Sequence, residues 1–143
     1  MSDSTECEIK GYDGTPLRVL TWAADGDVRG LLVLVHGLGE HVARYDHISR
    51  ALNAVGVTVV GGDHRGHGRS GGLRGHVDGY DEYTADQACV VAHARGVVGD
   101  ELPWFLLGHS MGGLITLRYL TDPSKLQPAA AVLSNPQLGL AFE

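Results

Sequence analysis

Gly108-His109-Ser110-Met111-Gly112 places a serine between two glycines, each two positions away. A hydroxyl becomes a useful nucleophile when it is held clear of its own main chain and given a base. A tight turn from strand to helix achieves the first, and glycine on each side relieves the crowding that such a turn creates. The helix that follows aims its N–H groups and the positive end of its dipole at the same point. An oxyanion formed on an attacked acyl carbon would be stabilised there. Five residues of this kind are a weak signal alone, because Gly and Ser are common. The context is specific: residues 104–107 (WFLL) read as a buried strand just before the turn, and residues 114–120 as a short apolar helix just after it. The competing reading is a plain strand-to-helix turn in which Ser110 only caps the helix.

A second loop has matching chemistry. His36-Gly37-Leu38-Gly39-Glu40-His41 follows the apolar run LLVLV directly. Acyl transfer at a serine needs a second N–H donor opposite the one after the nucleophile, and a glycine-containing loop at an earlier strand end can supply it. The candidate donors are the backbone N–H groups of Leu38 and Met111. His36 and His41 are read as side chains that tie loops down rather than as proton carriers, and His109 as a packing or hydrogen-bonding neighbour of the turn.

These loops need a frame. Residues 17–22 alternate and suit a strand, whereas residues 31–35 and 57–60 are short β-branched or Leu-rich runs that suit strands buried on both faces. Between them, Tyr45, Ile48, Leu52 and Val55 fall on one helical face, with Gly56 as its stop. Residues 81–98 read as a helix, with Asp81 and Glu82 at its positive end and Tyr83, Val90, Val91, Ala94 and Val98 as its buried face. Residues 129–134 (AAAVLS) read as a last strand. Strands alternating with helices predict an α/β fold with a mostly parallel sheet and helices on both faces. Active sites of such sheets lie at the carboxyl ends of the strands. The loops at His36, Asp63 and Ser110 all begin where a predicted strand ends, so they should gather on one edge.

HGLGEHVARY, GDHRGHGRSGGLRGHV and LLGHSMGG, in this order and spacing, resemble the monoacylglycerol lipase and lysophospholipase-like family of α/β hydrolases. The resemblance covers about residues 8–140. It implies Ser110 as nucleophile within a nucleophile elbow (Gly108, His109, Gly112), and an oxyanion loop of His36, Gly37 and Gly39 that supplies Leu38 alongside Met111. It also implies a small acyl-ester or lipid substrate and no cofactor. The closing VLSNPQLGL resembles the family's strand after the elbow helix, where a lid or cap would begin. Residues 1–143 are therefore expected to form a single partial domain, the N-terminal part of such a hydrolase, without the cap and last strands.

The same family order is Ser, then Asp or Glu, then His. After Ser110 the sequence has Asp122 and Glu143 but no histidine, and Asp122 stands beside a proline at a predicted helix end. The triad acid and base are thus expected to be absent from this chain, which should be inactive alone. Two other readings stay open: one half of a split hydrolase completed in trans, and a non-catalytic binding module that keeps the elbow as scaffold. The sheet edge at the last strand should be left unpaired and should promote self-association.

Other motifs are weaker. Gly66-His67-Gly68-Arg69-Ser70-Gly71 matches a dinucleotide fingerprint, but Asp63, His64 and Arg65 separate it from the strand and no helical spacing follows. It reads as a shaped wall near the site. His64 and His67 lie in a glycine-rich loop rather than on a helix face, and no HExxH occurs, so no metal is expected. The formal net charge of −6, with 11 scattered Lys and Arg, argues against nucleic acid. Cys7 and Cys89 form no CxxC or zinc spacing and read as reduced thiols. No apolar run approaches the roughly 20 residues of a transmembrane segment, and residues 1–10 show no signal-peptide pattern, so a cytoplasmic location is expected.

Overall fold

In the computed structural model, residues 4–139 are described. Six strands form one sheet: β1 (Thr5–Lys10), β2 (Pro16–Trp22), β3 (Gly30–Val35), β4 (Val57–Gly62), β5 (Trp104–His109) and β6 (Ala130–Ser134). Their spatial order is β1-β2-β4-β3-β5-β6. The pairs β4/β3, β3/β5 and β5/β6 are parallel, while β1/β2 and β2/β4 are antiparallel. The expected mostly parallel sheet is present, with an antiparallel ribbon at one side that includes a strand, β1, not anticipated from sequence. β1 is exposed at nearly every position, so it carries no buried apolar run to mark it.

Helix α1 (Asp46–Asn53), preceded by a 3₁₀ turn at Val42–Tyr45, covers one face; α2 (Tyr80–Val98) and α3 (Met111–Thr121) cover the other. The central strand β3, GLLVLV, is buried throughout. Side chains of a strand alternate between faces. Accordingly Leu31, Val33 and Val35 pack with Leu106, Ile115, Tyr119, Val90 and Ala94 beneath α2 and α3. Leu32 and Leu34 instead join Trp22, Val59, Val42 and Tyr45 on the α1 face. Fully burying each such aliphatic side chain contributes about 1.5–3 kcal/mol. The core therefore clamps β3, whose carboxyl end carries His36.

Some boundaries differ from the sequence reading. Val55, placed there on the buried helical face, lies beyond α1 and is 57% exposed. Gly56 does take a positive φ of 84° and turns the chain into β4. The α2 face includes the buried polar residues Asp86 and Gln87, and Val98 is only partly buried. Both cysteines are free, Cys7 on the exposed ribbon and Cys89 half-buried. Among the described residues, no helix is long and apolar enough to cross a membrane.

Candidate active site

The parallel strands β4, β3 and β5 bring their carboxyl ends to one edge, and the loops at Asp63, His36 and Ser110 meet there. Ser110 sits between the end of β5 and the first residue of α3, with φ 53° and ψ −119°. A non-glycine residue at positive φ costs on the order of 1–3 kcal/mol, and such strain persists only where surroundings over-determine it. Here four backbone hydrogen bonds hold it. The Ser110 N–H donates to the Ser134 carbonyl (3.0 Å), and the Ser110 carbonyl accepts from Gly113 (2.9 Å), Leu114 (3.2 Å) and Gln137 (3.0 Å). The Ser110 side chain does not cap α3 and takes part in no described hydrogen bond, which removes the plain-cap reading. The flanking glycines are required by packing. A β-carbon on Gly112 would strike the carbonyl oxygens of Val35 and His36, and one on Gly108 would strike the Gly112 carbonyl and the Thr116 hydroxyl.

The loop after β3 lies against this turn. A β-carbon on Gly37 would stand 3.3 Å from Ser110 Cβ and 3.4 Å from the His109 carbonyl oxygen. Leu38 follows, 61% exposed, and Met111 opens α3. Neither the Leu38 nor the Met111 N–H donates a described hydrogen bond. The Gly37 N–H, by contrast, donates to Glu40 Oε2 at 2.9 Å, and the Tyr45 hydroxyl donates to the same oxygen at 2.7 Å. Burial pushes the Glu40 carboxyl upward, but Tyr45, the Gly37 N–H and the Arg44 guanidinium outweigh it and hold the group below its usual value.

His36 is fully buried and ties two loops together. Its Nε2 accepts the His64 N–H at 2.9 Å, so its Nδ1 carries the proton and donates to the Gly37 carbonyl at 2.8 Å. His64 Nε2 in turn donates to the His36 carbonyl at 2.8 Å. Burial drives His36 down to about 3 despite the bond to Gly37, and burial together with His36 lowers His64 well below its ordinary value. Both rings are neutral struts at neutral pH. His41 is exposed and its ring makes no described hydrogen bond, so the loop-tying role expected for it does not appear. His109 Nδ1 faces Ser134 Oγ at 3.2 Å, beside the turn as expected.

Asp63 is the hub that sequence reasoning missed. Its Oδ1 accepts the Val42 N–H (2.8 Å), and its Oδ2 accepts the Arg69 N–H (2.9 Å) and Arg18 Nη1 (3.2 Å). Ser70 Oγ donates to the Asp63 carbonyl at 2.6 Å. Within the GxGxxG stretch, the Gly66 N–H is spent on the Gly71 carbonyl at 2.7 Å. The loop therefore closes on itself instead of presenting that donor to a phosphate. With Arg74 and Gly75 it walls a cavity of about 450 Å³ opposite Leu38, Gly39 and Glu40. Arg65 anchors the loop from below through paired bonds to Asp86 (2.6 and 2.9 Å), with Asp13 and Glu82 beside it. His36, His64 and His67 cluster, but no group of three or more metal-binding side chains is arranged as a site among the described residues.

Asp122 is not near Ser110. It follows the far end of α3, an 11-residue helix about 16 Å long at 1.5 Å per residue, and its carboxylate accepts the Ser124 N–H and hydroxyl. Glu143 lies outside the described residues.

Comparison with known proteins agrees with this fold. The family described as Serine aminopeptidase, S33 (Hydrolase_4) matches residues 26–142. A monoacylglycerol lipase of Mycolicibacterium smegmatis is 40% identical over 139 residues, 94% of this chain and 48% of that protein. The phospholipase YtpA of Bacillus subtilis is 36% identical over 123 residues, 86% of this chain and 46% of that protein. Among solved structures, a soluble variant of monoglyceride lipase from Saccharomyces cerevisiae superposes with a TM-score of 0.82 at 25% identity, covering 95% of this chain and 46% of that one. The chain thus spans about half the length of these relatives. It belongs to the S33 serine aminopeptidase family of α/β hydrolases, and within it is similar to monoacylglycerol lipases and a phospholipase.

Proposed function

We propose that Ser110 is the nucleophile of a hydrolase for monoacylglycerols or similar acyl esters, and that residues 1–143 carry the nucleophile and oxyanion half of it. The observation that supports this most is Ser110 itself: strained to φ 53°, held there by four backbone bonds, and with a hydroxyl that caps nothing. Strain of this kind has no use in a simple turn. The names of the relatives favour an ester over a peptide as substrate.

In the proposed reaction a base takes the Ser110 proton while Oγ attacks the acyl carbon. The carbonyl oxygen becomes an oxyanion, held by the Leu38 and Met111 N–H groups. Collapse of the intermediate expels the alcohol, which regains a proton from the base. Water then attacks the acyl-enzyme and releases the fatty acid. Each oxyanion donor contributes on the order of 10²–10³ in rate. Neither His36, with both nitrogens engaged, nor His109, whose Nδ1 faces Ser134, is read as that base. The reading assigns the acid and base of the whole enzyme to residues outside 1–143, in the same polypeptide or in a separate one.

The test is hydrolysis of a p-nitrophenyl acyl ester. The 143-residue chain alone should show no measurable turnover, a polypeptide carrying the acid and base should restore it, and Ser110→Ala should abolish what is restored. Restored turnover that survives Ser110→Ala refutes the proposal.

A further inference from the structure

We propose that Glu40 is a positioning residue that fixes the Leu38 N–H toward the substrate by clamping Gly37 from both sides. The proposal rests on the reading of Ser110 as nucleophile and adds to it the device that aims its oxyanion loop.

The peptide plane between Gly37 and Leu38 sets the geometry. The Gly37 carbonyl and the Leu38 N–H belong to one planar trans peptide and point in opposite directions. Whatever holds that carbonyl therefore aims that N–H. The Gly37 carbonyl accepts His36 Nδ1–H at 2.8 Å and the Glu40 backbone N–H at 3.4 Å. The Gly37 N–H is held by Glu40 Oε2 at 2.9 Å. Main chain and side chain of one residue thus grip both polar groups of Gly37. The grip also decides which donor is free, because the Gly37 N–H is consumed and the Leu38 N–H is not.

Glu40 is itself immobilised. Tyr45 donates to the same Oε2 at 2.7 Å, and Arg44 Nη1 meets Oε1 at 3.1 Å. The carboxylate is only 16% exposed, and a β-carbon on Gly37 would stand 3.0 Å from its Oε2 and 3.3 Å from Ser110 Cβ. The Arg44 cation offsets a negative charge that would otherwise oppose an oxyanion nearby. A carboxylate so close to a developing anion is tolerable only because it is paired, and it holds a buried main-chain N–H with charge-assisted strength. Glu40 contacts neither reacting atom and acts through Gly37.

The experiment uses the 143-residue chain with external imidazole as base at mildly alkaline pH. The rate of Ser110 phosphonylation by an alkyl fluorophosphonate is read by mass spectrometry, and the Gly37 and Leu38 amides by ¹H–¹⁵N NMR. Glu40→Ala should slow phosphonylation on the order of tenfold, the scale of weakening one oxyanion donor. Glu40→Asp keeps the charge but is too short to reach, and should slow it similarly. Glu40→Gln keeps an acceptor for Gly37 and should restore most of the rate. The Gly37 amide should lose protection in Glu40→Ala and keep it in Glu40→Gln. If Glu40→Ala does not fold, the contrast between Asp and Gln variants decides. Equal rates and unchanged amides in Glu40→Asp or Glu40→Ala overturn the proposal for Glu40 alone. A wild-type chain that takes no label on Ser110 under these conditions overturns the nucleophile reading instead.

Discussion

Gly37 rests against Ser110: a β-carbon at residue 37 would stand 3.3 Å from the Ser110 β-carbon, across the gap between two different loops. Two strand ends that far apart in sequence meet because β3 and β5 are parallel neighbours, with Val35 opposite Gly108. Gly37→Ala should push the loops apart, since the other neighbours are the Glu40 carboxylate and a main-chain carbonyl. Overpacking of this kind costs about 1–3 kcal/mol. Urea unfolding should show that loss, and Ser110 reactivity should fall with it. A variant of unchanged stability and reactivity would mean that the two loops are not in contact.

Asp63 joins β2, the segment after the loop of residues 36–41 and the glycine-rich loop through one buried carboxylate. Removing one member of a buried charge pair costs about 3–5 kcal/mol, because the partner charge is left uncompensated. Asp63→Ala should lose stability on that scale, and Asp63→Asn less, since its amide oxygen can still accept one N–H. Denaturant midpoints for both variants test this, and equal midpoints with wild type would contradict the hub.

The buried histidines make the fold acid-sensitive. Unfolded His36 binds its proton near the ordinary value of 6.5, whereas folded His36 does so only near 3. Its neutral burial therefore contributes stability that is complete above 6.5 and drains away as pH falls toward 3. Each such group contributes a slope of about 1.4 kcal/mol per pH unit in that window, and His64 shifts in the same direction. Stability measured by urea unfolding should already fall between pH 6.5 and 5, above the range where most carboxylates titrate. His36→Gln, which cannot titrate, should flatten the slope. A flat profile in wild type would show that these rings are not buried neutral.

Much of the frame could be read in advance, and the reasons are local. β3 and β4 announce themselves as short apolar runs because both faces are buried, β5 as an apolar run with one face only partly covered, and Ser110 because its tight turn needs glycines that pack against backbone. β1 was missed because an exposed strand in an antiparallel ribbon has no such run. Val55 was misplaced because a helical period continues on paper past the point where Asn53 ends the helix. Glu40 and Asp63 stood in view within HGLGEH and GGDHRGHG, yet their work is to accept hydrogen bonds that only the folded loops bring to them: Gly37 N–H and the Tyr45 hydroxyl for Glu40, and the Val42 and Arg69 N–H groups for Asp63. Sequence order carries no trace of such partners.

Among the described residues β6 pairs only with β5, and its outward Val132 is 55% exposed. Beside it lies an apolar groove of about 310 Å³ lined by Leu32, Leu52, Val57, Phe105 and Leu107. Unpaired edges and contiguous apolar surface drive association. The 143-residue chain is expected to self-associate in sedimentation experiments, and Val132→Lys should reduce it. A compact monomer at high concentration would contradict this.

The most direct test of the account is where a fluorophosphonate lands. The chain should take up one equivalent slowly, on the peptide containing Ser110, faster when imidazole is added, and not at all in Ser110→Ala. Rapid labelling and ester turnover by the unaided chain would contradict the claim that its base lies outside residues 1–143. Equal labelling of Ser110→Ala would contradict Ser110 as the nucleophile.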